Sequence, residues 1–178
     1  MALEIKEIKV FGMLQHAHLL GRSIKTRHFR NGTELHSLTT DSNYDFNFQE
    51  TRLLREEIPI RHGDSFIVEC TYDSTGRSGP TVGGLSTQNE MCPSFILYYP
   101  KIELKSCGSS PTYDSISNVF NKVRPLLEAY NWTSPQVREV FKEKLRESSI
   151  LHSCEGYKMV PQLLKYTYRE TPPTHEYI

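Results

Sequence analysis

Five short segments in the first hundred residues alternate apolar and polar positions or form compact apolar runs. They are rich in β-branched and aromatic residues, and turn-forming residues such as Asn31-Gly32 and Pro100 separate them. The pattern predicts β-strands over residues 8–14, 24–29, 53–60, 66–72 and 95–99. Because no helical period lies between these segments, we expect a mainly β domain over residues 1–107, an antiparallel β-sandwich of the jelly-roll type.

The period of the apolar positions changes after Pro111 to that of an amphipathic helix. One helix face is predicted from four apolar residues at positions i, i+3, i+4 and i+7: Ile116, Val119, Phe120 and Val123. Ser134-Pro135 then supplies an N-cap and a first-turn proline for a second helix. We therefore predict a C-terminal helical extension over residues 108–170 and a flexible tail over residues 171–178.

The charge balance argues against nucleic acid as a partner. The chain has 21 Lys and Arg and 21 Asp and Glu residues, so its formal net charge is zero.

The first residues lack the apolar segment of a signal peptide. Two sequons nevertheless predict glycosylation at Asn31 and Asn131, which occurs only in the secretory pathway. We expect a piece of a secreted or vesicle-lumen protein whose leader lies upstream.

The candidate chemistry lies in His16-Ala17-His18 and in Met91, which directly precedes a cysteine. If the histidines lie on a β-strand, the two-residue side-chain period places both imidazoles on one face. Two imidazoles and a thioether favour copper, because thioether sulfur is a soft ligand that prefers Cu(I). Taken alone, however, such histidines are more often exposed strand residues, and a lone methionine is more often part of a core.

The cysteines restrict the remaining chemistry. The chain contains four, Cys70, Cys92, Cys107 and Cys154, and no C-x-x-C pair. This pattern argues against a zinc ribbon and leaves three ways of forming two disulfides.

Several blocks of the sequence occur in the same order as in a known family. The blocks are His16 to Arg22, Asn47 to Glu50, Gly63-Asp64, Cys70-Thr71-Tyr72, Gly83-Gly84, Glu90-Met91-Cys92 and Tyr98-Tyr99-Pro100. Over roughly residues 8–107 the chain resembles the C-terminal, catalytic copper domain of the copper type II, ascorbate-dependent monooxygenases. The segments His28-Phe29-Arg30 and Asp45 to Glu50 are most similar to the dopamine β-hydroxylase-like (MOXD) branch.

The resemblance implies a specific metal site. In this family two β-sandwich domains face each other across a cleft, and a copper ion in the N-terminal domain relays electrons from ascorbate. A second copper in the C-terminal domain binds dioxygen and hydroxylates a C–H bond of a small molecule. By resemblance, His16, His18 and Met91 are the ligands of that second copper, and Cys70 pairs with Cys92. One copper ion is therefore expected in this chain, with the N-terminal copper domain as its partner.

The chain also departs from the family pattern. It begins after the expected N-terminal copper domain, so we expect the fragment to bind copper but to be inactive, or nearly so, alone. Cys107 matches a family cysteine whose partner lies further upstream, so it is unpaired unless Cys154 substitutes. Leu14-Gln15 occupy the place where the peptide-amidating member has a carboxylate-binding arginine, which argues against peptide amidation.

Two other functions remain open. The main alternative is a non-catalytic β-sandwich that binds copper or a partner. A carbohydrate-binding module ranks last, since the single tryptophan, Trp132, lies in the predicted extension. A homo-oligomer would form through the extension, because the family's C-terminal extensions take part in subunit association. Exposed positions are expected for the five other histidines: His28, His36, His62, His152 and His175.

Overall fold

A computed structural model describes residues 5–111, 131–147, 149–156 and 162–165. The strands are β1 (Glu7–Gln15), β2 (Gly21–Arg30), β3 (Thr33–Glu34), β4 (Thr39–Asp41), β5 (Arg52–Arg61), β6 (Ser65–Tyr72), β7 (Ser94–Tyr99), β8 (Ser106–Pro111), β9 (Ser149–Glu155) and β10 (Gln162–Lys165). The described residues contain one α-helix, α1 (Pro135–Glu147), and a short 3-10 helix at Phe46–Phe48. The chain divides into two compact units, Met1–Ile102 and Glu103–Ile178.

Two antiparallel sheets form the first unit. One has the strand order β5-β1-β7, and in the other β2 pairs with β6 on one side and with β3 and β4 on the other. The Thr26 hydroxyl on β2 hydrogen-bonds the Ser94 hydroxyl on β7 at 2.9 Å, which links the two sheets. Two apolar clusters are buried inside the unit, one around Val10 and Met13 and the other around Ile24 and Tyr44.

The five strands predicted from the apolar pattern are all present, and the mainly β, antiparallel class is confirmed. Jelly-roll connectivity stays a prediction. The pattern did not predict β3 and β4, because strands of two and three residues are too short to show an alternation. The turn before β3 was predicted: Asn31 and Gly32 both have positive φ, 52° and 75°, as a tight hairpin turn requires.

The second unit contains more strand than the helical period indicated. β8, β9 and β10 form an antiparallel sheet in which β9 is central, and Cys107 lies directly opposite Cys154. These two cysteines form a disulfide, which is the pairing that the sequence left open for Cys107. The predicted second helix is confirmed and begins at Pro135. The predicted helix over residues 116–123 and the predicted tail lie outside the described residues.

The described helix is neither long nor apolar enough to cross a membrane.

One of the five histidines expected at the surface is instead buried. His28 on β2 is 1% exposed, and its Nε2 lies 2.8 Å from Asp64 Oδ2. Arg30 donates two further hydrogen bonds to the Asp64 carboxylate, at 2.8 and 2.7 Å. The prediction for His28 is therefore wrong, because a charged partner offsets the cost of burying its ring. His36 and His62 are exposed as expected, His152 is partly exposed, and His175 lies outside the described residues.

The buried Asp64 carboxylate gives the fold a testable pH dependence. The hydrogen bonds from Arg30 hold its pKa well below the usual range, with further lowering by the Arg61 backbone N–H and by His28. A lowered folded-state pKa stabilises the fold fully above the ordinary Asp pKa of about 3.9, and this stabilisation is lost as the pH falls through the lowered value. We expect Asp64→Asn to reduce the free energy of unfolding at neutral pH by about 3 kcal/mol.

Urea unfolding of both proteins, at neutral pH and at a series of acidic pH values, measures this effect. The difference between wild type and Asp64→Asn should shrink progressively once the pH falls below about 4. A constant difference at every pH would contradict the assignment of the stabilisation to the ionised carboxylate.

Candidate metal centre

The two candidate histidines follow the end of β1 instead of lying on it. Strand β1 ends at Gln15, and His16 and His18 belong to the loop that leads to β2. Their ring centroids are nevertheless only 5.0 Å apart, with an interplanar angle of 82°. His18 is 4% exposed, whereas His16 is partly buried. The loop conformation, and not the strand period assumed from the sequence, brings the two imidazoles together.

Hydrogen bonds to the Nδ1 atoms determine which nitrogen of each ring is available for a metal. His16 Nδ1 bonds Gln49 Oε1, and His18 Nδ1 lies 3.1 Å from the backbone carbonyl oxygen of Asn89. The Gln49 amide nitrogen donates to the Phe46 carbonyl at 2.7 Å, which identifies its other atom as the oxygen. Both partners of the rings are acceptors, so each Nδ1 acts as the donor, and in the neutral imidazole Nε2 is then the nitrogen whose lone pair can bind a metal.

The Met91 backbone is attached to β6 by its neighbours. Cys92 forms a disulfide with Cys70 on β6, so the pairing implied by the resemblance is present. Tyr72, at the end of the same strand, donates its hydroxyl hydrogen to the Met91 carbonyl at 2.9 Å. Burial raises the pKa of Tyr72 to about 12, so this hydroxyl stays protonated and remains a donor at neutral pH. The flexible methionine side chain therefore starts from a fixed backbone position.

The Glu90 carboxylate joins the histidine loop to the methionine segment. One of its oxygens accepts a hydrogen bond from the His18 backbone N–H at 2.9 Å, and the other accepts from Leu20 at 2.7 Å. The oxygen bonded to His18 also lies 3.4 Å from the Met91 backbone nitrogen. Residues far apart in the sequence are thereby held together at one side chain.

Tyr44 fixes the residue between the two histidines. Its hydroxyl donates to the Ala17 carbonyl at 2.6 Å and accepts from the Ala17 N–H at 3.0 Å. The loop approaches Tyr44 so closely that a Cβ atom at Gly21 would lie 2.8 Å from the Ala17 Cβ and 2.9 Å from the Tyr44 ring. A glycine is therefore required at position 21. Burial raises the pKa of Tyr44, so its hydroxyl is also protonated at neutral pH.

The ligands predicted from the sequence, two imidazoles and a thioether, would suit copper better than zinc. Among the described residues, no group of three or more His, Cys, Asp or Glu side chains is placed to hold a metal ion. Met91, the third ligand predicted from the sequence, lies on the segment that Glu90 joins to His18. Two neutral imidazoles and one thioether form a soft set that accommodates Cu(I).

Comparison with known proteins bears directly on this geometry. The family described as "Copper type II ascorbate-dependent monooxygenase, C-terminal domain" matches residues 1–120. The chain belongs to this family. The family assignment predicted from the ordered sequence blocks is therefore confirmed, and with it the assignment to the C-terminal domain of a copper-dependent oxidoreductase.

Individual relatives in the monooxygenase family match between 57% and 78% of this chain. The chain is 54% identical over 104 residues to "DBH-like monooxygenase protein 1" of Mus musculus, a match that spans 58% of this chain and 17% of the relative. It is 35% identical over 146 residues to "DBH-like monooxygenase protein 2" of Mus musculus, a match that spans 78% of this chain and 24% of the relative. For "Dopamine beta-hydroxylase" of Canis lupus familiaris the identity is 40% over 102 residues, and the match spans 57% of this chain and 16% of the relative. The chain thus spans less than a quarter of these relatives' length.

Sequence reasoning did not assign roles to four residues of this monooxygenase domain: Tyr44, Gln49, Asn89 and Glu90. Gln49 and Glu90 lie inside the blocks that carried the resemblance, which was the available signal. Asn89 acts through its backbone carbonyl, so its side-chain type carries no signal.

The predicted glycosylation sites stay predictions: Asn31 is exposed at its turn, and Asn131 is exposed with its side chain accepting from the Thr133 N–H.

The Gln49 contact gives a prediction about metal affinity. In Gln49→Leu the His16 ring loses the acceptor that fixes its orientation and its tautomer. Loss of such a supporting partner lowers metal affinity by about 10–100-fold, and we expect a change of this size for Cu(I), measured by competition with a chelator. Gln136→Leu, on the exposed surface of α1, is the matched control. Equal affinities for the two variants would contradict the assigned role of Gln49.

Proposed function

We propose that the first unit is the copper-binding, catalytic domain of a two-domain monooxygenase, with His16, His18 and Met91 as metal ligands. The observation that carries the proposal is the pair of Nδ1 hydrogen bonds to Gln49 and to the Asn89 carbonyl. They leave two Nε2 lone pairs on rings whose centroids are 5.0 Å apart. Metal-ligating histidines usually donate their other ring N–H to such an acceptor, which fixes the ring orientation.

Each residue of the region has a definable task in this proposal. Gln49 and the Asn89 carbonyl orient the two imidazoles, while Glu90 and the Cys70–Cys92 disulfide hold the methionine segment beside them. Three protein ligands leave space for a small molecule at the metal. Copper, when bound, supplies the redox chemistry that places one oxygen atom of dioxygen into a C–H bond of a small-molecule substrate.

The proposal includes partners that lie outside this chain. Electrons derived from ascorbate would reach the site from the N-terminal copper domain of the intact protein, so the isolated chain turns over poorly or not at all. Two disulfides among the described residues favour the oxidising secretory pathway as the location of the intact protein. The sequence-predicted bounds, 1–107 for the catalytic domain, 108–170 for the extension and 171–178 for the tail, stay predictions, and the compact first unit ends at Ile102.

Copper titration of the purified chain, followed by an assay with ascorbate and dioxygen, tests this function. We expect one copper ion per chain, with Cu(I) bound more tightly than Zn²⁺, and no ascorbate-dependent hydroxylation. Addition of the separately produced N-terminal domain of a relative should then yield hydroxylation. One copper ion without hydroxylation even in that mixture would favour a non-catalytic copper module. A chain that binds no copper would contradict the proposal outright.

A further inference from the structure

One tyrosine hydroxyl bridges the two peptide groups that join His16 to His18. The Tyr44 hydroxyl accepts a hydrogen bond from the Ala17 N–H at 3.0 Å and donates one to the Ala17 carbonyl at 2.6 Å. The N–H belongs to the peptide group on one side of Ala17, and the carbonyl belongs to the peptide group on the other side. A single oxygen atom can bond both groups only when they point toward the same side of the backbone.

This bridge restricts the torsions that orient the two imidazoles. Peptide groups are planar, so the groups on either side of Ala17 turn against each other only about its φ and ψ. A hydroxyl bonded to both groups holds these two torsions, and with them the directions in which the flanking histidine side chains leave the backbone. Strand β1 ends at Gln15, so the bridge acts just beyond the reach of the strand pairing.

The bridge lies where water cannot replace it. Ala17 is fully buried and Tyr44 is 6% exposed, and both belong to the apolar cluster around Ile24. Gly21 lies directly against them, since a Cβ atom there would be 2.8 Å from the Ala17 Cβ and 2.9 Å from the Tyr44 ring. Loss of the hydroxyl would therefore leave a buried N–H and a buried carbonyl without this partner.

The neighbouring anchors hold each histidine separately. The His16 N–H donates to the Pro93 carbonyl at 3.1 Å, and the His18 N–H donates to the Glu90 carboxylate at 2.9 Å. Each of these bonds fixes one peptide group, whereas the tyrosine hydroxyl contacts both groups that lie between the two histidines. The hydroxyl is therefore the contact that relates the orientation of one ring to that of the other.

We propose that Tyr44 is a positioning residue for copper, and that its hydroxyl sets the angle between the two imidazoles and so the geometry in which they bind the metal. This role rests on the proposed ligands His16 and His18, whose ring planes lie 82° apart. A ligand pair that is already oriented loses little conformational freedom when the metal binds, so the hydroxyl raises the affinity. It also restricts the pair to one coordination geometry, because the rings cannot turn independently.

Copper binding by Tyr44→Phe tests this role, because the variant keeps the ring and removes only the hydroxyl. We expect the affinity for Cu(I) to fall about tenfold, as when other supporting partners of metal ligands are lost. The Cu(II) electron paramagnetic resonance spectrum should change from one species in the wild type to two or more, because the rings then adopt more than one relative orientation.

Ile24→Val is the matched control, since Ile24 is fully buried in the same apolar cluster. It weakens the packing without removing a hydrogen bond, so its copper affinity and spectrum should stay those of the wild type. Gly21→Ala is a second test variant. Its methyl group would press against Ala17 and the Tyr44 ring and distort the bridge while the hydroxyl is still present, so it should reproduce both effects of Tyr44→Phe. It decides the question where Tyr44→Phe does not fold.

Failure of this role and failure of the proposed function give different results. A wild-type chain that binds no copper would contradict the proposed function, and the positioning role with it. A wild-type chain that binds copper, with Tyr44→Phe unchanged in both affinity and spectrum, would overturn the positioning role alone. Losses of affinity that follow the urea midpoints of Tyr44→Phe and Ile24→Val alike, with one spectral species in each, would also overturn it, because the hydroxyl would then contribute only to stability.

Discussion

His16→Ala and His18→Ala should each lower the affinity for Cu(I) by more than about a hundredfold, beyond the effect of losing a supporting partner. Each change removes one of the two Nε2 donors on rings that the loop holds 5.0 Å apart. Met91→Ile should weaken Cu(I) more than Cu(II), because a soft thioether contributes mainly to the reduced ion. Isothermal titration and X-ray absorption at the copper edge measure affinity and the loss of the sulfur ligand.

His36→Ala is the matched control for these histidine variants, because His36 is exposed and lies away from the loop after β1. It should bind copper like the wild type. If His16→Ala and Met91→Ile leave both the stoichiometry and the affinity unchanged, then the ligand assignment is wrong.

Glu90→Ala should reduce both the stability of the apo chain and its affinity for copper. The substitution leaves the backbone N–H groups of His18 and Leu20 without their acceptor, and it removes one of the connections between the Met91 segment and the histidine loop. A lost partner for partly buried groups costs about 1–3 kcal/mol each, and we expect about 2 kcal/mol in total because water can reach part of this site. Urea unfolding in the absence of metal, and then copper titration, measure the two effects.

Glu56→Ala is a suitable control, since Glu56 is an exposed residue of β5 and carries the same charge. It should change the free energy of unfolding by less than about 0.5 kcal/mol. A Glu90→Ala variant that is as stable as this control and binds copper as tightly as the wild type would mean that the carboxylate does not position the ligands.

The five longer strands of the first unit were predictable because alternation of apolar and polar positions reflects burial of one sheet face. Strand β1 illustrates the limit of that reasoning. Its apolar pattern located the strand, yet a register irregularity between Val10 and Gly12 and the end at Gln15 both depend on pairing with β5 and β7. The structure of the extension was harder to predict from the sequence. The helical period identified α1, but β9 and β10 pair in a sheet, and a local period does not reveal such pairing.

His28 shows the same limit for a single side chain. It has no spacing that suggests a metal ligand, so an exposed position was predicted, and the partner that allows its burial, Asp64, lies in the turn between β5 and β6. Burial of a titratable group depends on whether a charged partner arrives from elsewhere in the chain. Sequence patterns within one strand carry no information about that arrival.

The sequence by itself determined the family, the mainly β class and the two residue types proposed for the metal, because ordered blocks and apolar periods are local properties of the chain. Only the tertiary structure decided which ring nitrogens of His16 and His18 remain available, since Gln49 and Asn89 come from distant segments. It also revealed Glu90 as the link between the two ligand segments. Hydrogen-bond geometry depends on distances of a few ångström in space, and such distances are set by the packed fold.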